Sequence, residues 1–221
     1  MNEITVAALF DLSHTLAGEQ LGRLRYPHEA LEHIGAWILE IGATLSQEQY
    51  DHPAEDIWIA KSAKVAKSAS ITGPCIIGER TEVRHCAFIR GNALVGADAV
   101  VGNSTELKNV ILFDNVQVPH YNYVGDSILG YKAHLGAGAI TSNVKSDKTP
   151  VVIRCGESRL NTGRKKVGAM VGDNVEVGCG SVLNPGTVIG RGSAVYPLSS
   201  VRGAVGAGCI YKKQGEIAKK H

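Results

Sequence analysis

Aromatic side chains make up 5% of the 221 residues, and the chain has three phenylalanines, two tryptophans and two methionines. It lacks the large flat side chains that fill most globular cores and on which single-stranded nucleic acids stack. No run of 18 apolar residues occurs, so no segment reads as a membrane-spanning helix. The opening Met1-Asn-Glu-Ile-Thr-Val carries no basic run ahead of its apolar residues, and no secretory signal is expected. The cysteines are odd in number (Cys75, Cys86, Cys155, Cys179, Cys209) and none forms a Cys-x-x-Cys pair. They are expected to be reduced packing residues of a cytoplasmic protein. A net charge of +2 provides no long basic face, and no nucleic-acid partner is expected.

Glycine, by contrast, is plentiful at 26 residues, and the apolar residues keep a strict beat of six. Ile59, Val65, Ile71, Ile77, Val83, Ile89, Val95, Val101, Leu107 and Phe113 stand in unbroken register, and the beat resumes at Val171, Val177, Leu183, Ile189, Val195 and Val201. A period of six fits neither an amphipathic helix nor an alternating strand and marks a solenoid. Order is lost between residues 114 and 166, where function is expected.

Residues 1–55 lie outside the repeat and form an N-terminal helical segment. Pro27 opens its strongest helix, with Leu31, Ile34, Ile38, Ile41 and Leu45 along one stripe. That stripe is expected to cap the open first coil, because terminal repeats need covering. Residues 56–210 form the solenoid and residues 211–221 a charged, frayed tail. Residues 144–166 read as a long mobile loop thrown out from one corner. They hold seven basic residues against two acidic, a net +5, leaving the rest of the chain at −3. A small phosphorylated ligand accounts for that concentration of charge.

In a six-residue beat with three hexads per coil, residues 18 apart stack, roughly 4.8 Å from one another. Arg90 and Lys108 are such a pair. Two solvated corner charges would be the plainer account, but the motif next to them favours an anion between or beside them.

The beat resembles the hexapeptide pattern of left-handed parallel β-helices, which implies a mainly β fold with an N-terminal helical cap. Arg90, Glu106-Leu-Lys108, His120-x-x-Tyr123-Val-Gly-Asp126 and Gly136-Ala-Gly-Ala-Ile-Thr-Ser-Asn143 resemble the acetyltransferase half of bifunctional N-acetylglucosamine-1-phosphate uridyltransferase/glucosamine-1-phosphate acetyltransferases. Standalone proteins labelled UDP-N-acetylglucosamine pyrophosphorylase-related are closer still. The resemblance implies a coenzyme A-dependent acyltransferase acting on an amino-sugar phosphate or nucleotide sugar. Its co-substrate would be acetyl-coenzyme A, without a metal, in a cytoplasmic homotrimer. It gives His120 the role of general base, places Asn143 by the acetyl group, and has Arg90, Lys108 and Tyr123 hold the sugar phosphate. Ala137, Gly178 and Cys179 would line the coenzyme A groove. An ammonium must lose a proton before it can attack a thioester, and imidazoles exchange protons near neutral pH.

The chain departs from that family around the acceptor. His134 replaces an asparagine among the substrate-binding positions, and Val144 replaces the tyrosine after Asn143. The basic loop replaces a tight turn. A further substrate-binding lysine aligns with Lys166, with Lys165 beside it, whereas counting forward from Asn143 selects Lys148. No Gly-rich nucleotide loop is present, so pyrophosphorylase activity is not expected. Two other readings compete. One is a non-catalytic solenoid that binds a nucleotide sugar or scaffolds a partner. The other is a zinc β-helix of the carbonic-anhydrase kind, but Gly125 stands where a companion histidine to His120 would be needed.

Overall fold

Three flat faces, each one strand wide per coil, carry the six-residue beat in the computed structural model, which describes residues 1–220; His221, the last residue of the expected tail, lies outside them. The first face stacks strands such as Ile57–Ala60, Cys75–Ile77 and Ala93–Val95, continuing through Ala169–Val171 and Thr187–Ile189. The second stacks Lys64–Val65, Glu82–Val83, Val100–Asn103, Gln117–His120, His134–Leu135 and Glu176–Val177. The third includes Ser70–Thr72, Phe88–Arg90, Ile140–Thr141 and Val182–Leu183. Two long strands, Glu106–Leu112 and Tyr123–Leu129, bend around a corner and serve the third face with one half and the first with the other. All pairing between coils is parallel, and the fold is the left-handed parallel β-helix.

The corners are turned by residues with positive φ. They fall six apart at Arg80, Cys86, Asn92, Asp98 and Ser104, then only five on at Asn109. Asn115 and Tyr121 restore the six, and Asp126 again comes five on. Polar residues tolerate this left-handed conformation better than branched ones, which suits Asn and Asp to corners. The two short corners overturn the expected unbroken register. Leu112, not Phe113, pairs with Val95 and fills the interior slot. Phe113 takes the next position and is buried against Phe10, with ring centroids 5.1 Å apart. The coils persist to Ile140–Thr141, so most of the supposedly disordered stretch is solenoid with two residues missing.

The helix Ile34–Gly42 does not cap the open first coil, as its stripe suggested. It lies along the outer surface of the first face, against Cys75–Ile77, Ala93–Val95 and Glu106–Leu112. The reason is visible in that face's outward row: Ile76, Leu94, Ile111, Ile128, Met170 and Val188 are all apolar and all buried. In the first coil, Tyr50–Ala54 pairs antiparallel with Ile57–Ala60 instead, which satisfies the free edge of that strand.

The basic segment carries a hairpin, in which Val152–Cys155 pairs antiparallel with Ser158–Asn161. Val151 and Ile153 are buried and continue the cover over the last coils. The described part of the tail likewise forms a hairpin, Cys209–Lys213 with Glu216–Lys219. Cys86 and Cys179 are exposed, which corrects their assignment as packing residues; Cys75, Cys155 and Cys209 are buried.

Removing apolar volume from the outward row should be as costly as in any core. Leu94→Ala should destabilise by about 2–5 kcal/mol, whereas Leu39→Ala, on the exposed side of the helix, should cost little. Urea titration of both variants checks this, and equal losses would mean that the helix does not cover that face.

Candidate functional site

The two short corners fall at the same edge of the solenoid, one coil apart, and the residues that turn them, Asn109 and Asp126, are both buried. A buried carboxylate without donors would be prohibitively expensive, and Asp126 has donors on every side. Lys108 Nζ lies 3.2 Å from each of its oxygens, Asn109 Nδ2 donates at 2.9 Å, and Asn143 Nδ2 donates to Oδ2. Asn109 Nδ2 also donates to the carbonyl of Leu31, which ties the N-terminal segment to the same corner.

Asn143 also donates to the Tyr123 hydroxyl at 3.3 Å. Burial pushes the Tyr123 phenol up, reinforced by the Asp126 charge, so it stays protonated and keeps its own hydrogen for another acceptor. The Tyr123 ring lies over Gly125: a Cβ there would sit 2.5 Å from the hydroxyl, so only glycine lets the ring adopt this pose. One coil away Arg90 pairs with Glu106 at 2.6 Å, and this contact raises the guanidinium pKa. Arg90, Lys108, Tyr123 and Asn143 therefore converge on the third face and its edge. The expected stacking of Arg90 and Lys108 is preserved by the register of Leu107 with Ile89. Their mutual repulsion is relieved by Glu106 and Asp126, two carboxylates that the sequence reasoning quoted within the motifs without assigning them a role.

His120 stands at the opposite edge of the third face, exposed at the end of its strand. Its backbone is fixed from both sides. The N–H donates to Asn122 Oδ1 at 3.0 Å, and the carbonyl accepts from Gly138 N–H at 2.9 Å. Asn122, buried, donates in turn to the carbonyls of Gly136 and Ala139. Gly102 makes room for this corner, because a Cβ there would overlap the Pro119 carbonyl. Registers of Gln117 with His134 and of His134 with Glu176 place Ala137 one coil beyond His120 and Cys179 one coil beyond Ala137. The three form a single exposed column, and Gly180 N–H donates to the Ala137 carbonyl at 2.8 Å within it. Gly178 is fitted closely beneath Pro197.

Other expected members are not brought to this group. His134 faces out of the second face, where its Nδ1 lies 2.7 Å from Glu176 Oε2; it lines a separate cavity of about 270 Å³. Lys165 and Lys166 are exposed and, among the described residues, form no ion pair. The backbone of Lys166 bridges to Val144, and Val167 N–H donates to the Asn143 carbonyl at 3.0 Å. Lys166 is thus held near Asn143 by its main chain. Among the described residues no group of three or more His, Cys, Asp or Glu is placed to hold a metal.

Residues 71–191, more than half of the chain, match the family described as the GMPPB C-terminal domain. The chain belongs to that family. Members of the wider group that it resembles include the bifunctional protein GlmU of Methanococcus aeolicus, 33% identical over 76% of this chain and 45% of its own length. A bifunctional sugar-1-phosphate nucleotidylyltransferase/acetyltransferase of Sulfurisphaera tokodaii is 30% identical over 83% of this chain and 51% of its own. The GMPPB C-terminal-domain chain thus spans about half the length of those two relatives. Among solved structures, the polySia-specific acetyltransferase NeuO superposes with a TM-score of 0.48 at 13% identity, covering 76% of this chain and 88% of that one.

Asp126→Asn keeps the shape of the corner but removes its charge and turns one acceptor into a donor. It should cost about 1–3 kcal/mol of stability, measured by urea denaturation. Unchanged stability would show that the corner is held by packing alone.

Proposed function

We propose that this chain is a coenzyme A-dependent acyltransferase that moves an acetyl group from acetyl-coenzyme A to the amine of an amino-sugar phosphate or nucleotide sugar. The observation that supports this best is the single column of His120, Ala137 and Cys179 beside the face that carries Arg90, Lys108, Tyr123 and Asn143. A thioester running along the column, past Ala137, Gly178 and Cys179, would end at His120. An acceptor lying on the third face would meet it there.

In this reading the acceptor nitrogen attacks the thioester carbonyl carbon. The C–N bond forms, the C–S bond breaks, His120 takes the proton lost by the amine, and the departing thiolate is then protonated. Asn143 lies by the acetyl group. Arg90, Lys108 and Tyr123 hold the acceptor phosphate, with Lys165 and Lys166 reaching toward it from the base of the hairpin. His134 looks out from another face and would reach an acceptor only from a neighbouring copy. That is one reason to propose a cytoplasmic homotrimer with sites between subunits. The other is the exposed apolar set Phe88, Tyr121, Tyr196 and Leu198, of which Leu198 is 84% accessible, on and beside the His120 corner. A non-catalytic nucleotide-sugar-binding solenoid is the second reading. It would use the same third face without any proton transfer at His120.

General-base catalysis is worth about 10²–10⁴ in rate. His120→Ala should lower turnover by about that factor on a competent acceptor with little change in acceptor affinity, and activity should partly recover at higher pH as free amine accumulates. Thiol release from acetyl-coenzyme A across a panel of amino-sugar phosphates and nucleotide sugars measures this. Full turnover by the variant would make His120 a structural residue, and no turnover by the unaltered protein on any acceptor would favour the binding module.

Assembly is tested separately. Light scattering should give three times the chain mass, and a folded monomer would remove the shared-site idea.

A further inference from the structure

Of the ten arginines in the sequence, six are matched to carboxylates: Arg23, Arg80, Arg84, Arg90, Arg164 and Arg191. A seventh, Arg25, lies over the Tyr26 ring, 5.2 Å from its centroid. The remaining three, Arg154, Arg159 and Arg202, line one cavity of about 250 Å³ between the hairpin and the last coils, together with Lys145 and Pro185. Among the described residues none of these three pairs with an acid.

Two of them are placed in a way that folding alone would disfavour. Arg154 and Arg159 are direct cross-strand partners in the hairpin, and like charges in that position are destabilising. Arg202 comes from a separate part of the chain, one residue beyond the interior Val201. Among the described residues no carboxylate lines this cavity; Asp147, which lines the adjoining one, is taken up by Lys145 at 3.3 Å and by the Thr149 backbone and hydroxyl. Three guanidinium forks facing one space, with no acid of their own, make a receptor for an anion with several oxygens, because each fork can bond two oxygens at once.

The position says which anion. The cavity adjoins a second, of about 300 Å³, that shares Lys145, Pro185 and Arg202 and extends to Asn184 and Ser142. Ser142 precedes Asn143. By the registers of Ile140 with Val182 and Val182 with Ser200, Arg202 lies two coils beyond Ser142 on the same edge, roughly 10 Å away. This trough therefore starts at Ser142 and Val144, on either side of Asn143 in sequence, and ends at the arginines. It runs along the other edge of the third face from the Ala137–Cys179 column.

We propose that Arg154, Arg159, Arg202 and Lys145 form a diphosphate site, and that it takes the diphosphate of a nucleotide-linked acceptor whose sugar lies at Asn143. The acceptor part of this assignment rests on the transferase reading above; the diphosphate site does not. It narrows the acceptor from any amino-sugar phosphate to one carried on a nucleoside diphosphate.

Calorimetric titration of the full chain with inorganic pyrophosphate at low salt tests the site without any need for turnover. Saturable binding is expected, weakened about tenfold or more by Arg202→Ala and by Arg154→Ala/Arg159→Ala together, since each variant removes charge-assisted contacts to the anion. Without pyrophosphate, Arg159→Ala should melt no lower than the unaltered protein, because it relieves the cross-strand repulsion; this keeps the loss of binding distinct from misfolding. Absence of saturable pyrophosphate binding, or equal binding by the variants, overturns the site. Coenzyme A is the other natural source of a diphosphate. Its affinity should be the same in all variants, and a parallel loss together with competition against pyrophosphate would overturn the acceptor assignment.

Discussion

A single buried carboxylate, Asp126, holds together the part of the solenoid that differs from a plain repeat. Two corners with one residue too few are turned by Asn109 and Asp126, both buried, and neither could remain so without partners. The partners come from three places: Lys108 and Asn109 from the coil before, Asn143 from the coil after, and Leu31, through Asn109, from the N-terminal segment. The Tyr123 hydroxyl is placed through Asn143. The proposed acceptor groups are thus arranged by the same contacts that make the short corners tolerable. The stability and the geometry of this edge cannot be altered independently.

The solenoid was legible in the sequence because its signal is redundant: a period of six repeated over many hexads survives local error. What failed was the counting across residues 107–129. Apolar residues stand at both Leu112 and Phe113, and apolar identity alone cannot choose between them. The polar corner residues could have done so, since Ser104, Asn109, Asn115, Tyr121 and Asp126 mark the turns directly. The helix was misplaced for a related reason. Its buried stripe was plain, but its target was read from the solenoid's open end instead of from the doubled apolar positions Ile76, Leu94 and Ile111, which recur every third hexad and announce a covered face.

The candidate site was legible in part. Arg90, Lys108, Tyr123 and Asn143 converge as the motif suggested, while their carboxylate partners went unassigned because charge balance within a coil depends on register. The alignment of His120, Ala137 and Cys179 was hidden by spacings of 17 and 42 residues, which no fixed period exposes. His134 lies apart from the group and Lys166 adjoins it through its main chain, since a resemblance in one dimension does not say which of three faces a residue will occupy.

The short corners also bear on how such a chain can lengthen. Between Ile57 and Lys108, and again between Ala169 and Val201, neighbouring coils match residue for residue at intervals of 18. Duplicating a coil in either tract would leave every interior side chain interior. A duplication that copied the Asn109 or Asp126 corner would add another buried polar residue and demand a new set of partners for it. Growth by repetition is therefore open in these two tracts and closed between them and in the last coil, where the interval falls to 16, so the edge built around Asp126 would keep its arrangement while the coils flanking it changed in number.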